Sequence, residues 1–345
     1  MYDEPFFRTG YSRSPKTCFA ILAREGHMRI DQRVKKCIAF VGHKGANDSF
    51  AVEGTAFFAM TYEGGLGFQQ LITARHVIED GFAGKEWVYL RVNSVEGTPR
   101  VLRTLKSEWL FHPNRNVDIA FLPMEISQER CDILHVDMED YVLTEQSIKD
   151  NDIGEGDDVF VVGAYVSRVG ELKNLPIVRV GNIASMAVEP VWPASISRPA
   201  YLIEVRSLGG LSGSPVFVHV PLIAVKDGQT KFHNGRYEYM LGMVLGHHAN
   251  RHDVDVLPGQ EDVMEDSEKA DFSTGIAVVV PVEQINEALQ QPLVVDMRKR
   301  AVEEMKKKSG YVADSAGRRS KGEPKSTTHR EDFNSLLDAA VRAKP

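Results

Sequence analysis

Cysteine is scarce in this chain, and its few occurrences follow no pattern. The 345 residues include three cysteines, Cys18, Cys37 and Cys131, which are odd in number and far apart. Disulfide frameworks and zinc sites use paired or closely spaced cysteines. We therefore expect free thiols in a reducing compartment and no metal site built on cysteine.

Long apolar runs are also missing. No stretch approaches the roughly 18 apolar residues of a membrane-spanning helix. The N-terminal Met-Tyr-Asp-Glu-Pro does not open a basic segment followed by an apolar one. These absences predict a cytoplasmic protein that binds no membrane. The net charge of −7 argues against a general affinity for nucleic acid, and since no nucleotide motif stands out we expect no cofactor.

What the sequence does contain is a series of short apolar runs bounded by Gly, Asn and Asp. Such spacing is typical of hairpins in an all-β barrel or sandwich. The strand-like runs include 37–41, 54–60, 87–92, 158–163, 181–186, 242–246 and 274–281. Residues 282–289 follow them with apolar side chains at helical spacing, which predicts a closing helix.

One serine stands among glycines between two such runs. Ser212 lies in Leu-Gly-Gly-Leu-Ser-Gly-Ser-Pro, with strand-like runs at 201–205 and 216–218. Glycine allows a backbone to turn through positive φ. The amides of Gly210 and Ser212 could then face one space beside the Ser212 hydroxyl, as acyl transfer requires. The alternative is an ordinary hairpin turn in which Ser212 is simply a small residue.

Two further segments supply the partners that a serine nucleophile needs. His76 ends the strand-like run that begins at Leu71, and Asp118 opens an apolar run. An imidazole takes the proton from a hydroxyl, and a carboxylate fixes the tautomer of the imidazole. Each residue also has a structural interpretation, His76 as a hydrogen-bonded core residue and Asp118 as a turn or cap residue.

Together these segments resemble a known family. Thr-Ala-Arg-His-Val, Asp-Ile-Ala-Phe-Leu and Gly-Leu-Ser-Gly-Ser-Pro are similar to the three signatures of trypsin-like serine peptidases, and closest to the bacterial branch that includes the HtrA-like peptidases. The order His, Asp, Ser is that of the chymotrypsin type. The resemblance implies two six-stranded antiparallel β-barrels with the active site in the cleft between them. It implies that His76 is the general base, Asp118 its orienting carboxylate, Ser212 the nucleophile, and that the Gly210 and Ser212 amides form the oxyanion hole.

The resemblance also divides the chain into segments. These are an N-terminal extension (1–35), a peptidase domain (36–290) with barrels at about 36–124 and 154–290, and a basic, largely disordered tail (291–345). The tail ends in a short amphipathic helix, which docks on a partner, docks on its own barrel or frays. No PDZ-like module follows the barrels.

The substrate pocket and the activation mechanism are less well defined. By resemblance, the pocket is lined by Arg206, Val244, Leu245, Gly246 and His247. Trypsin-like zymogens carry an aspartate just before the serine, which pairs with a new N-terminus, but here that residue is Leu211. We expect an oxyanion loop that is permanently set or is ordered by substrate or partner binding.

An acidic stretch and a histidine cluster invite metal-site interpretations. The stretch 251–271 is rich in Asp and Glu, but its spacing does not match an EF-hand, and we interpret it as a solvated surface loop. His247, His248 and His252 lack an evident fourth zinc ligand. We therefore expect no metal site.

Taken together, the sequence predicts a serine endopeptidase that acts on protein or peptide substrates through an acyl-enzyme. The alternative is a catalytically silent barrel of the same type that binds peptides or regulates a partner.

Overall fold

The strand-like runs of the sequence form strands in a computed structural model of the chain. The model describes residues 30–45, 49–188, 198–205, 209–221, 223–226, 229–232, 238–249 and 273–309. The first half contains β1 (Ile38–Lys44), β2 (Phe50–Glu63), β3 (Leu66–Thr73), helix α1 (Arg75–Glu79), β4 (Trp87–Asn93), β5 (Pro99–Leu105), β6 (Leu110–Phe111), β7 (Ala120–Pro123), β8 (Val136–Asp137) and helix α2 (Glu145–Asn151). The second half contains β9 (Asp158–Gly163), β10 (Ile177–Ser185), β11 (Tyr201–Glu204), β12 (Pro215–His219), β13 (Ile223–Lys226), β14 (Gln229–Phe232), β15 (Glu238–Ala249), β16 (Ser273–Pro281) and helices α3 (Val282–Leu289) and α4 (Pro292–Ser309).

The second half forms a closed six-stranded barrel, as predicted. Its strand order is β10-β11-β16-β15-β12-β9, with every pair antiparallel. Closure leaves no open edge of the kind that invites pairing with another chain. Phe160 of β9 and Phe217 of β12 stack inside it with ring centroids 5.1 Å apart. The strand at 158–163 and the closing helix at 282–289 have the bounds that the sequence predicted.

The first half forms an eight-stranded sheet. Seven strands follow the order β5-β4-β1-β2-β3-β7-β6, and β8 pairs in parallel with β2. No pairing joins β5 to β6 in the described part of the chain. The closed first barrel therefore stays a prediction. One hydrophobic core runs through both halves, and its largest buried side chains include Phe40, Phe57, Phe121 and Phe160.

Three details of the first half differ from the sequence prediction. The strand expected to end at His76 ends at Thr73, so His76 lies in helix α1. The segment between the two expected barrels, 125–153, to which the sequence analysis assigned no regular element, contains β8 and α2. A 3₁₀ helix over Gln32–Cys37, capped by the Asp31 side chain, spans the expected boundary between the extension and the first barrel.

The predicted disordered tail begins instead with helix α4. Val294, Met297, Ala301 and Val302 recur at helical spacing and are buried. Ala301 and Val302 pack against Phe68 of β3. The many charged residues of this segment obscured its apolar stripe in the sequence. The helix is stabilised by packing of this stripe on the first sheet rather than by helix propensity alone. The amphipathic helix predicted near the C-terminus lies outside the described residues.

Two observations bear on the expectations about thiols and membranes. Cys37 and Cys131 are buried, and neither is in a disulfide in the described residues. Burial raises the pKa of the Cys131 thiol, which disfavours its reactive thiolate form. Within the described segments, no helix is long and apolar enough to cross a membrane.

Candidate active site

The structure brings His76 and Asp118 into direct contact. The Nδ1 atom of His76 lies 2.5 Å from Oδ2 of Asp118, and the backbone N–H of His76 donates to Oδ1 at 2.8 Å. Strand pairing explains this proximity, because Thr73 at the end of β3 is in register with Ala120 at the start of β7. Helix α1 follows directly after β3, and Asp118 directly precedes β7. Val117 and Ile119 are buried on either side and hold the carboxylate in place.

The carboxylate controls the charge of the imidazole. Burial lowers the pKa of His76, but the hydrogen bond and the negative charge of Asp118 outweigh it, and the pKa is raised from 6.5. Because Asp118 accepts at Nδ1, that nitrogen carries the proton of the neutral ring. The lone pair is therefore on Nε2, the nitrogen a general base uses. The His76 side chain is 39% exposed, so the ring is open to a substrate.

The Ser212 loop of the second half docks against the strands that carry this pair. The backbone N–H of Thr55 in β2 donates to the Ser212 carbonyl at 2.9 Å. At Gly54, a Cβ atom would lie 2.8 Å from the Val77 side chain and 3.1 Å from the Ser212 carbonyl oxygen. Ser212 therefore lies beside helix α1, next to the residue that follows His76, and is half-buried.

This loop is not the hairpin turn that was the alternative interpretation of the motif. Strand β11 before it pairs with β10 and β16, whereas β12 after it pairs with β9 and β15. The loop thus crosses one end of the barrel between strands that are not neighbours. Gly210 and Gly213 adopt positive φ values of 95° and 83°, which a side chain would strain.

Three consecutive carbonyls of this loop accept hydrogen bonds. The Gly209 carbonyl accepts from Val166 N–H at 3.4 Å, the Gly210 carbonyl from the Thr55 hydroxyl at 2.7 Å, and the Leu211 carbonyl from Ser214 N–H at 2.9 Å. In a trans peptide the N–H points away from the preceding carbonyl. The Gly210 amide therefore points away from Val166 and the Ser212 amide away from the Ser214 amide, and neither has an acceptor in the described residues.

Leu211 occupies the place of the zymogen aspartate and has a different role. Its side chain is buried in the common core. A Cβ atom on Gly163 would lie 2.9 Å from its Cδ2 atom. An apolar side chain in this position anchors the loop by packing and cannot form an ion pair with an N-terminus.

The predicted pocket residues are only partly described. Val244 is buried and bonds to the Ser212 loop, because its carbonyl accepts from Gly213 N–H and its amide donates to the Ser214 carbonyl, both at 2.9 Å. Leu245 and Gly246 are half-buried where the pairing of β15 with β16 shifts register. His247 pairs through its backbone with Ala277. Arg206 lies outside the described residues, as does the acidic stretch at 251–271.

The sequence analysis did not identify Thr55, Thr73 and Arg75 as residues whose hydrogen bonds hold the segments of this site together. The hydroxyl of Thr55 accepts from Ala164 N–H at 2.8 Å as it donates to Gly210, and the hydroxyl of Thr73 donates to the Thr55 carbonyl at 2.6 Å. Arg75 donates to the His112 carbonyl at 2.5 Å and stacks over Phe111, which ties α1 to the loop that leads to Asp118. Of these, only Thr73 and Arg75, the first and third residues of the Thr-Ala-Arg-His motif, lay within a motif that the sequence singled out.

A Gly213→Ala substitution should be poorly tolerated. A Cβ atom there would overlap the Thr55 carbonyl and the Thr73 hydroxyl, in addition to the strain of positive φ. We expect the free energy of unfolding to fall by about 2–4 kcal/mol, as measured by urea denaturation. Gly97→Ala is the matched control, because its φ is 85° with open space around it, and it should cost only about 1 kcal/mol. Equal losses in the two variants would contradict the docking of this loop on β2 and β3.

No metal site accompanies these groups in the described segments, where no three His, Cys, Asp or Glu side chains are placed to hold an ion.

Comparison with known proteins adds little beyond the geometry. No family model matches the sequence, and no curated protein matches it. Among solved structures, the chain is similar to the MamO protease domain from Magnetospirillum magneticum in its apo form. The two are 16% identical, with a TM-score of 0.43, and the match covers 75% of this chain and 99% of the other.

Proposed function

We propose that this chain is a serine endopeptidase of the bacterial type, with a trypsin-like arrangement of its two β units. Its substrates are proteins or peptides, and the reaction passes through an acyl-enzyme on Ser212. The orientation of the Gly210 and Ser212 amides carries the proposal. Two N–H groups that point away from bonded carbonyls and have no described protein acceptor, in the loop that carries the Ser212 hydroxyl and lies beside the helix of His76, are suited to hold an oxyanion.

Each group of the site has a defined role in the proposed mechanism. His76 Nε2 accepts the Ser212 proton while the hydroxyl oxygen attacks the scissile carbonyl, and the negative charge that develops on the carbonyl oxygen is stabilised by the two amides. The Asp118 carboxylate, bonded to Nδ1, stabilises the imidazolium. That ring then protonates the leaving amine, and a water molecule attacks the acyl-enzyme by the reverse route.

Labelling with a fluorophosphonate probe tests the proposal without knowledge of the natural substrate. We expect one phosphonyl group per chain, located on Ser212 by peptide mass spectrometry, because only an activated serine reacts at useful rates. Labelling should vanish in Ser212→Ala and fall sharply in His76→Ala. A folded wild-type protein that takes up no probe would favour the alternative of a peptide-binding barrel.

A further inference from the structure

A buried arginine of the first sheet binds the loop between β9 and β10. Arg91 lies in β4 between β1 and β5 and is 6% exposed. Its guanidinium donates to the carbonyls of Gly170 at 2.6 Å, Glu171 at 3.2 Å and Val169 at 3.3 Å, and to Oδ1 of Asn174 at 2.8 Å. All four acceptors are neutral oxygens of one segment, so the arginine fits the shape of that segment and is not a simple ion-pair partner.

The same segment binds β4 through a second set of contacts. Asn174 donates from Nδ2 to the Arg91 carbonyl at 2.5 Å and from its backbone N–H to Oδ1 of Asn93 at 2.7 Å. Asn93 Nδ2 donates back to the Asn174 carbonyl at 3.3 Å. Charge-assisted hydrogen bonds to a buried group are among the stronger contacts in a protein. The distal part of the β9–β10 loop is therefore fixed to the first sheet.

The proximal part of this loop contacts Gly209 and Gly210 of the Ser212 loop. Val166 N–H donates to the Gly209 carbonyl at 3.4 Å. Cβ atoms on Gly209 and Gly210 would lie 3.3 Å and 3.1 Å from the Val166 side chain. Two backbone bonds, Arg168 N–H to the Tyr165 carbonyl and Leu175 N–H to the Val169 carbonyl, join the proximal and distal parts into one unit.

We infer that Arg91 is a positioning residue for the oxyanion hole. By fixing the β9–β10 loop, it places the Val166 amide against the Gly209 carbonyl, and this contact sets the direction of the Gly210 N–H. Without it, the Gly209–Gly210 peptide can rotate and withdraw that donor from the site. Arg91 thus anchors the Ser212 loop to the first sheet through the β9–β10 loop. An ion pair with an N-terminus cannot do this, because residue 211 is a leucine. The inference rests on the proposed function.

The test compares Arg91→Ala with Arg103→Ala in the full chain. Arg103 lies on neighbouring β5, stacks over Trp87 and does not contact the loop, so it controls for loss of a cation from this sheet. We expect amide hydrogen exchange at Val166 to accelerate at least about tenfold in Arg91→Ala and to be unchanged in Arg103→Ala. Among the described residues, no hydrogen bond joins Val166 to Arg91, so faster exchange there reports transmission through the loop.

Kinetics supply the second measurement. Arg91→Ala should lower kcat for a peptide substrate about ten- to a hundredfold, with KM changed by less than about threefold. Its affinity for a peptidyl boronic acid, which forms a tetrahedral adduct, should fall by a similar factor. The acid limb of the pH profile should stay in place, because the His76–Asp118 pair is untouched. Added guanidinium should restore part of kcat in Arg91→Ala and have no such effect in Arg103→Ala.

The outcomes separate this inference from the proposed function. If wild type is active and Arg91→Ala matches Arg103→Ala in exchange and in kcat, the inference is overturned and the proposed function stands. If wild type neither takes up a fluorophosphonate nor cleaves peptides, the proposed function fails and the catalytic role of Arg91 fails with it. If Arg91→Ala does not fold, Asn174→Ala takes its place. Faster exchange at Val166 in that variant supports the inference, and unchanged exchange overturns it.

Discussion

Ser212→Ala should abolish peptide hydrolysis almost completely, with kcat lower by a factor on the order of 10⁶, the size of effect known for loss of the nucleophile from a serine triad. Among the described residues of the site, no other side chain offers a nucleophile in the same place, so we expect the residual rate to reflect substrate binding and the two amides. The measurement is steady-state hydrolysis of an unfolded protein substrate, with the folded state of the variant checked by circular dichroism.

Ser214→Ala is the matched control for this substitution. It removes the same hydroxyl group two residues along the chain, where Oγ is buried and has no hydrogen-bond partner in the described residues. We expect its kcat to stay within about tenfold of wild type, since the hydroxyl neither faces the site nor holds the loop. A Ser214→Ala variant as inactive as Ser212→Ala would show that the wrong serine has been assigned.

Asp118→Asn should lower kcat by about 10⁴-fold, because an amide in place of the carboxylate stabilises the wrong tautomer of the imidazole and no longer stabilises its charged form. It should also move the pH profile. Asp118 raises the pKa of His76 above 6.5, and the base works only when neutral, so wild-type activity is lost as the pH falls through that raised value. Without the charge, the acid limb of kcat/KM should shift to lower pH.

Asp80→Asn separates the effect of a nearby negative charge on His76 from the effect of the hydrogen bond that Asp118 makes to the ring. Asp80 also raises the pKa of His76 through its charge, but it makes no hydrogen bond to the ring. We expect a small acid-limb shift in the same direction with kcat nearly unchanged. An acid limb that stays in place in Asp118→Asn would mean that the group titrating in the profile is not His76.

The candidate catalytic residues could be singled out in the sequence because their motifs are local. A histidine after Thr-Ala-Arg, an aspartate before an apolar strand and a serine between glycines each carry their signal within a few residues. The short apolar runs predicted a β-barrel or sandwich, and the six-stranded barrel of the second half followed from the family resemblance. Its bounding elements, β9 and α3, have the residues expected of them.

The supporting contacts could not be predicted because they join distant segments. The hydroxyl of Thr55 binds the Gly210 carbonyl across 155 residues, and Arg91 reaches Gly170 across 79. Such pairings depend on how two sheets pack, and a lone threonine or arginine in a strand has no pattern that marks it. Helix α4 was missed for a different reason. Its narrow apolar stripe is diluted by lysines and glutamates, and it packs against distant residues such as Leu66 and Phe68 of β3.

We propose above all that Ser212 is an activated nucleophile beside two amides that can donate hydrogen bonds to an oxyanion. A crystal structure of the fluorophosphonate-treated protein tests it most directly. We predict a phosphorus atom bonded to Ser212 Oγ, with its free oxygen about 2.7–3.1 Å from the amide nitrogens of both Gly210 and Ser212 and His76 Nε2 next to the adduct. An adduct on another residue, or an oxygen turned away from these two amides, would contradict the account.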